Sequence, residues 1–455
     1  MLALIDCNNF YVSCERLFRP DLHRRPVAVL SNNDGCIVAR SPEVKALGVA
    51  MGTPLFMVRD QLTAHNTAVF SSNYTLYGDL SHRVMTVLQQ DAEDVDVYSI
   101  DEAFLWAPNL PPSDWEAYLH HLRGRVQREV GIPTSIGAAT TRTLAKLASR
   151  IAKKHPDGIC ALGTTAEIHD ALRRVDVADI WGIGRKHAAR LATYQVFTGA
   201  DFISMPEALV RQELTVTGLR THRELRGIPC HPIHMPTPTR RSMVYSRSLA
   251  RTIRQSETLQ EILARFASEL GAKLRRHQLL ASHLRLFLVP PRHSTATARG
   301  ASHALPCPTA DSRLLVSTAW LLLKQLHHRM PCRKVGLMAL GLHGRDRAQQ
   351  SLFTAPADPR LMAALDNINN RFGRGTLRLA AEGTASSAWQ PRREQCSPRY
   401  TTRWAELCAV NVDAGSSPTP STRAGGTQSI PDVPGASPPH GGGSVDIAPR
   451  QKPHP

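Results

Sequence analysis

Leu2-Ala3-Leu4-Ile5-Asp6-Cys7-Asn8-Asn9 opens the chain, and the rest of the reading grows from it. Four apolar residues in a row are the pattern of a buried strand. The run stops at an acid, Asp6, and the two asparagines behind it suit a turn and a helix cap. A carboxylate is thus held at a strand's end. Asp101-Glu102 stands in a comparable place, between the β-like runs Val95–Ile100 and Ala103–Trp106. At such a hairpin tip, adjacent acids fan to different sides. Taken singly, each acid also fits a strand end that simply faces solvent. Together, on a basic chain, they match the carboxylate cage that phosphoryl transfer on nucleotides needs for two hard cations.

The chain has 455 residues, with 55 Lys and Arg against 38 Asp and Glu, a net charge of +17. That length exceeds what one core usually sustains and predicts two to four domains. The surplus favours a polyanionic partner, nucleic acid or an anionic membrane, over small neutral substrates. No run reaches the roughly 20 apolar residues that span a bilayer, and Asp6 interrupts the opening run before a signal-peptide core can form. A soluble intracellular protein with no membrane partner is expected. The nine cysteines are scattered, odd in number and without a CxxC pair. Reduced thiols follow, rather than a disulfide framework or a zinc knuckle.

Residues 1 to about 165 alternate short apolar runs with helical patterns, an α/β or α+β signature. From Val175 to about Pro238 the pattern is short and helical, broken at Trp181-Gly182-Ile183-Gly184 and at Arg226-Gly227-Ile228-Pro229. HPIHMPTPT, 231–239, reads as a linker. Residues 241–355 form an α+β domain with its own core: helices over 256–277 and around 314–328, and alternating runs at 283–289 and 335–342. This window holds 18 Lys and Arg against 5 Asp and Glu, so +13 of the +17 sits in one quarter of the chain. Beyond residue 413, Pro, Gly and Ser dominate, and a disordered tail is expected because little apolar surface is available to offset the ordering entropy.

Two helices add chemistry. Over Phe10–Phe18, Phe10, Cys14, Leu17 and Phe18 form one apolar face, with Tyr11 one residue off it. Tyr11 fits two readings, a floor for a nucleotide sugar or an ordinary core aromatic. Over Leu144–Lys154, Leu144, Leu147, Ala148 and Ile151 face inward, and Lys146, Arg150, Lys153 and Lys154 turn elsewhere, before Pro156-Asp157-Gly158 ends the helix. Such a stripe is either a solvated face or a contact for triphosphate or template.

MLALIDCNNFYVSCE, SNNDGCIVARSPEVKALGVAMG, SSNYTLYGDLSHRV, YSIDEAF, IGAATTRTLAKLASRIAKK and WGIGRK together resemble the Y-family DNA polymerases, and within them the UmuC branch. The resemblance runs in order to about residue 410, through GRGTLRLAAEG and SPRYTTRW. It implies a multidomain α+β right hand that performs error-prone translesion synthesis in DNA damage tolerance and SOS mutagenesis. Residues 1 to about 30 and 75–165 would be palm, 31–74 short fingers, 166–238 a helical thumb with a helix-hairpin-helix turn, 241–355 a little finger, 356–413 an accessory-protein-binding tail and 414–455 a disordered tail. Asp6, Asp101 and Glu102 would be catalytic and, with the backbone carbonyl of Cys7, would hold two Mg2+ ions. Tyr11 falls on the steric-gate position, and Lys45 and Lys153 where the family places cations on the incoming triphosphate. Pro42 stands where other branches often have Tyr, which leaves one phosphate hydrogen bond without its donor. Gly182, Gly184, Arg185, Lys186 and Arg247 would contact DNA. Gln349, Ser351, Leu352 and Phe353, in QQSLF, resemble a sliding-clamp-binding peptide. The implied partners are primer-template DNA, dNTP, the clamp, a UmuD′-like accessory dimer and RecA, and the implied location is the bacterial cytoplasm at the nucleoid.

Overall fold

The computed structural model describes residues 1–107, 110–231, 240–326, 330–347, 359–383 and 392–408. The clamp-like peptide 349–353, most of the linker and the tail beyond 408 lie outside the described residues.

The chain begins β1 (Leu2–Cys7), α1 (Phe10–Phe18), β2 (Val27–Leu30), β3 (Ile37–Arg40), α2 (Pro42–Ala46), α3 (Leu55–Ala64) and β4 (Ala68–Ser71). It continues α4 (Tyr74–Asp91), β5 (Asp94–Val97), β6 (Glu102–Trp106), α5 (Trp115–Glu129), β7 (Thr134–Ala139), α6 (Arg142–Ala152) and β8 (Ile159–Leu162). A five-stranded sheet takes the order β5-β6-β1-β7-β8, with β1 antiparallel to both its neighbours. Both faces of β1 are covered, which is why its sequence is a continuous apolar run. Ala3, Ile5 and Cys7 join a core with α1, α4 and α5, while Leu2 and Leu4 pack with Leu144, Leu147 and Ala148 of α6. The pleat therefore carries Asp6, of the same parity as Leu2 and Leu4, to the α6 side. A smaller sheet, β3-β2-β4, stands on Ala28, Leu30, Ile37, Val44 and Leu62.

α7 (Thr165–Arg174), α8 (Arg185–Ala192), α9 (Gly199–Ser204) and α10 (Glu207–Leu225, kinked at Thr215) form the helical unit. Its apolar residues, among them Leu172, Leu191, Phe202 and Leu219, share one core with the α6 face of the large sheet. α10 stops as its sequence asks, with Gly227 left-handed at φ 81° and Pro229 just beyond.

β9 (Ser242–Ile253), α11 (Ser256–Arg276), β10 (Leu279–Val289), β11 (Arg299–Thr309), α12 (Ser312–Gln325) and β12 (Cys332–Gly344) make a second α+β unit, an antiparallel sheet β11-β10-β12-β9 under two helices. The alternating runs are the central strands β10 and β12. The edge strands β9 and β11 lack that alternation, and β11 accommodates Pro306 and Pro308, as edges do. α13 (Pro359–Phe372) docks here through Arg275, whose guanidinium grips Asp366 at 2.6 and 2.7 Å. Among the described residues no helix is long and apolar enough to cross a membrane.

Two local expectations need correction. Asn9 occupies the N-cap of α1 at φ 46°, but its side chain makes no capping bond; its Oδ1 accepts instead from Lys45 Nζ at 2.5 Å. The sheltered face of α1 holds Phe10, Val12, Cys14 and Glu15, while Leu17 and Phe18 are only partly buried.

Candidate active site

β1 and β6 set the centre. In their antiparallel register Asp6 faces Glu102 directly, and one step beyond, the Cys7 N–H donates to the Asp101 carbonyl at 2.8 Å. Acids far apart in the chain therefore meet where two neighbouring interior strands of the sheet have their ends. The turn from β5 to β6 is closed by the N–H groups of Tyr98 and Ser99 on the Glu102 carbonyl, and Ser99 Oγ donates to Asp101 Oδ1 at 2.5 Å. The Cys7 thiol is buried in the same core as Ile5, Phe10 and Cys14, which withdraws it from any ligand.

α6 supplies the countercharge. Lys153 Nζ lies 2.7 Å from Asp6 Oδ2, and Lys146 Nζ 2.8 Å from Glu102 Oε2. Within the basic stripe, Lys146 and Lys153 thus pair with the acids, while Arg150 pairs with Asp179. Gly137 explains how α6 comes so close, since a Cβ there would fall 1.9 Å from the Ser149 nitrogen. Burial pushes the Asp6 carboxyl up to about 7, with Lys153 opposing and Glu102 adding to the rise. Burial acts on Glu102 in the same sense and most strongly of any one cause, but Lys146, the hydrogen bond with Asp6 and Lys153 together leave that carboxyl below the usual range. Asp101 is raised, again by burial, against the pull of Ser99. Burial thus favours the protonated form at Asp6 and at Asp101, while Glu102 is biased towards its anion.

Tyr11 packs against the core of the first unit. It is half-buried, its ring stacked on Tyr77 (centroids 4.5 Å apart, 15° between planes) and met edge-on by Tyr74 at 6.1 Å. Lys45, exposed on α2, is lowered by burial and then by the cations Arg40 and Lys153. Pro42 is the first residue of α2, where its missing N–H costs nothing.

The helical unit reaches the same place. Lys146 Nζ stands over the Tyr98 ring at 4.5 Å and the Trp181 ring at 5.5 Å, so the Trp181-Gly182-Ile183-Gly184 turn abuts the acidic pair. Gly182 adopts φ 92°, and Gly184 is the N-cap of α8 with no side-chain cap, leaving the first N–H groups of that helix, beside exposed Arg185 and Lys186, for an anion. Arg247 projects from β9, its guanidinium over Tyr245 at 4.7 Å. The partnership of Lys146 with Tyr98 and Trp181 has no signature in the sequence beyond the nearness of YSIDE to the acids.

Among the described residues no three His, Cys, Asp or Glu side chains are gathered to hold an ion as they stand. The donor set is nonetheless of the right chemistry for a hard divalent cation: carboxylate oxygens, desolvated and crowded with like charge, and no thiolate.

The comparisons with known proteins agree with this geometry. Residues 5–150 match the model of the impB/mucB/samB family, and residues 240–352 that family's C-terminal domain. The protein UmuC of Salmonella typhimurium is 37% identical over 90% of this chain and 100% of its own length. The protein MucB of Escherichia coli is 36% identical with the same coverage. The chain belongs to the UmuC family of Y-family DNA polymerases. As a family member it is a DNA-directed DNA polymerase of the error-prone, translesion kind, a nucleotidyltransferase of a group that uses divalent metals. A solved chimera of the Y-family polymerases Dbh and Dpo4 superposes with a TM-score of 0.62 at 18% identity, over 75% of this chain and 99% of that one, a likeness of fold. Residues 359–410 match a third model, described only as a domain of unknown function.

Proposed function

We propose that Asp6, Asp101 and Glu102 carry template-directed nucleotidyl transfer to a primer 3′-OH. The observation that supports it most is the register that sets Asp6 opposite Glu102, with the Asp101 carbonyl bonded to the next residue's N–H. With the Cys7 carbonyl, these carboxylates would hold two Mg2+ ions, whose Lewis acidity, when bound, lowers the pKa of the 3′-OH and neutralises the triphosphate. The 3′ oxygen bonds to the α-phosphorus, the α–β phosphoanhydride breaks, pyrophosphate leaves, and the hydroxyl proton passes to solvent.

The chain's own groups position the reactants. Lys153, half-exposed, exchanges Asp6 for a phosphate oxygen when nucleotide enters, and Lys45 meets the same triphosphate from α2. Tyr11, backed by Tyr77, rejects a ribose 2′-OH by bulk. On this reading residues 1–30 and 75–165 are palm, 31–74 fingers, 166–238 thumb and 241–355 little finger. Gly182, Gly184, Arg185 and Lys186 grip the duplex backbone from the thumb, and Arg247 from the little finger, without reading bases. Primer-template DNA and dNTP are the substrates. QQSLF would dock the sliding clamp, and 356–413 a UmuD′-like dimer; RecA completes the partners, in a bacterial cytoplasm at the nucleoid.

Primer extension by the wild type and by Asp101→Ala tests the assignment. Loss of extension on substitution, with labelled primer lengthening in the wild type, supports it. Equal activity of the two proteins would refute the site, and a shortening primer would make the chemistry hydrolytic.

A further inference from the structure

A late segment of the chain, residues 395–400, is sewn onto the first unit behind Tyr11. Ser71, at the end of the edge strand β4, donates its N–H to the Gln395 carbonyl at 2.9 Å, and its Oγ accepts from the Gln395 N–H at 3.0 Å. The segment therefore meets the open edge of the small sheet in a single parallel bridge, Ser71 with Cys396. Asn73 then takes Ser397 and Pro398: its Nδ2 lies 3.0 Å from both Ser397 oxygens and 3.1 Å from the Pro398 carbonyl, while its Oδ1 caps α4. Tyr400 stacks on Phe18 of α1 at 4.6 Å.

Inside this seam Ser397 Oγ donates to Glu15 Oε1 at 2.9 Å, and Tyr77 Oη donates to the same oxygen at 2.6 Å. Glu15 is fully buried, and its Oε2 has no hydrogen-bond partner among the described residues, so two hydroxyls alone hold this carboxyl. Tyr77 is the ring on which Tyr11 stacks. An unbroken path of contacts thus runs from residue 397 to the face that meets the incoming sugar.

We propose that residues 392–400 are a working part of the nucleotide pocket, with Ser397 a positioning residue that fixes Glu15 and Tyr77 and, through them, the ring of Tyr11. The proposal rests on the steric-gate reading of Tyr11 given above. Without the Ser397 hydroxyl, Glu15 keeps Tyr77 Oη as its single donor in an apolar setting, and the carboxyl that anchors the Tyr77 ring is itself held less firmly.

Single-nucleotide insertion of dNTP and rNTP by the full chain tests this in five proteins: wild type, Ser397→Ala, Ser397→Thr, Tyr77→Phe and Tyr11→Ala. Ser397→Ala and Tyr77→Phe are expected to raise KM for dNTP about tenfold and lower sugar discrimination about tenfold, with kcat moved less than about twofold, the signature of lost positioning. Ser397→Thr, which keeps the hydroxyl, restores both. Should Ser397→Ala fail to fold, Tyr77→Phe decides. An unchanged dNTP KM in Tyr77→Phe and in folded Ser397→Ala overturns the proposal, and if Tyr11→Ala still admits ribonucleotides, it falls alone. If Tyr11→Ala leaves sugar discrimination intact while Ser397→Ala raises KM, the gate reading fails and the pocket wall stands.

Discussion

Burial holds the Asp6 carboxyl at about 7 even with the Lys153 ammonium 2.7 Å away, so the folded apoprotein retains a proton that the unfolded chain, titrating near 3.8, releases. Between those values the native state binds more protons than the unfolded one, and linkage makes stability fall as pH rises through the window. The melting temperature of the metal-free protein is therefore expected to decline from about pH 4 to about pH 8, and Asp6→Asn to flatten the decline and melt at least as high as wild type at the upper end while losing primer extension. Differential scanning fluorimetry across that range checks it, and an Asp6→Asn protein that melts lower at high pH would show that the carboxylate stabilises the fold. A divalent cation should flatten the wild-type curve in the same way, because it neutralises the charge that burial penalises.

At the scale of elements, α6 owes its place to a single missing side chain. Its backbone lies against Gly137 of β7 so closely that any Cβ must displace Ser149 or Ala148. Gly137→Ala should cost about 3 kcal/mol by overpacking, read as a lower urea midpoint, and should weaken catalysis as well because Lys146 and Lys153 ride on the displaced helix. A substitution that leaves the midpoint unmoved would mean that the helix shifts freely. This element also shows what a sequence discloses. The apolar positions of α6 and its four cations were legible from their spacing, as was the strand that ends in Asp6. Which partner each cation takes was not, because Lys153 and Asp6 are 147 residues apart and only the register of β1, β6 and β7 brings them together. The asparagine cap of α1 misled for a similar reason: Lys45, from another element, claims the side chain that local rules assign to the helix.

Over the whole molecule, charge is segregated. The +13 of residues 241–355 predicts DNA binding dominated by counterion release, with affinity for primer-template falling about a thousandfold between about 50 and 200 mM salt. Arg247→Ala should weaken binding alike on all sequences and reduce the slope of log K against log salt by about 1, measured by fluorescence anisotropy. An unchanged slope would remove Arg247 from the DNA interface. Composition disclosed this asymmetry of charge, while the attachment of residues 392–408 to the first unit was hidden. Its contacts span more than 320 residues of sequence and use backbone groups and single hydroxyls that carry no pattern.

Asn33 gives that attachment a structural consequence. Held at φ 63°, it donates through Nδ2 to the Ser248 carbonyl of β9 and accepts at Oδ1 from the Arg392 N–H, so small sheet, basic unit and chain end meet on one carboxamide. The basic unit is consequently leashed twice, by the peptide that leads into it and by the segment that returns from it. A protease that severed only the first leash would leave two pieces travelling together, like a nicked hinge whose pin is still in place.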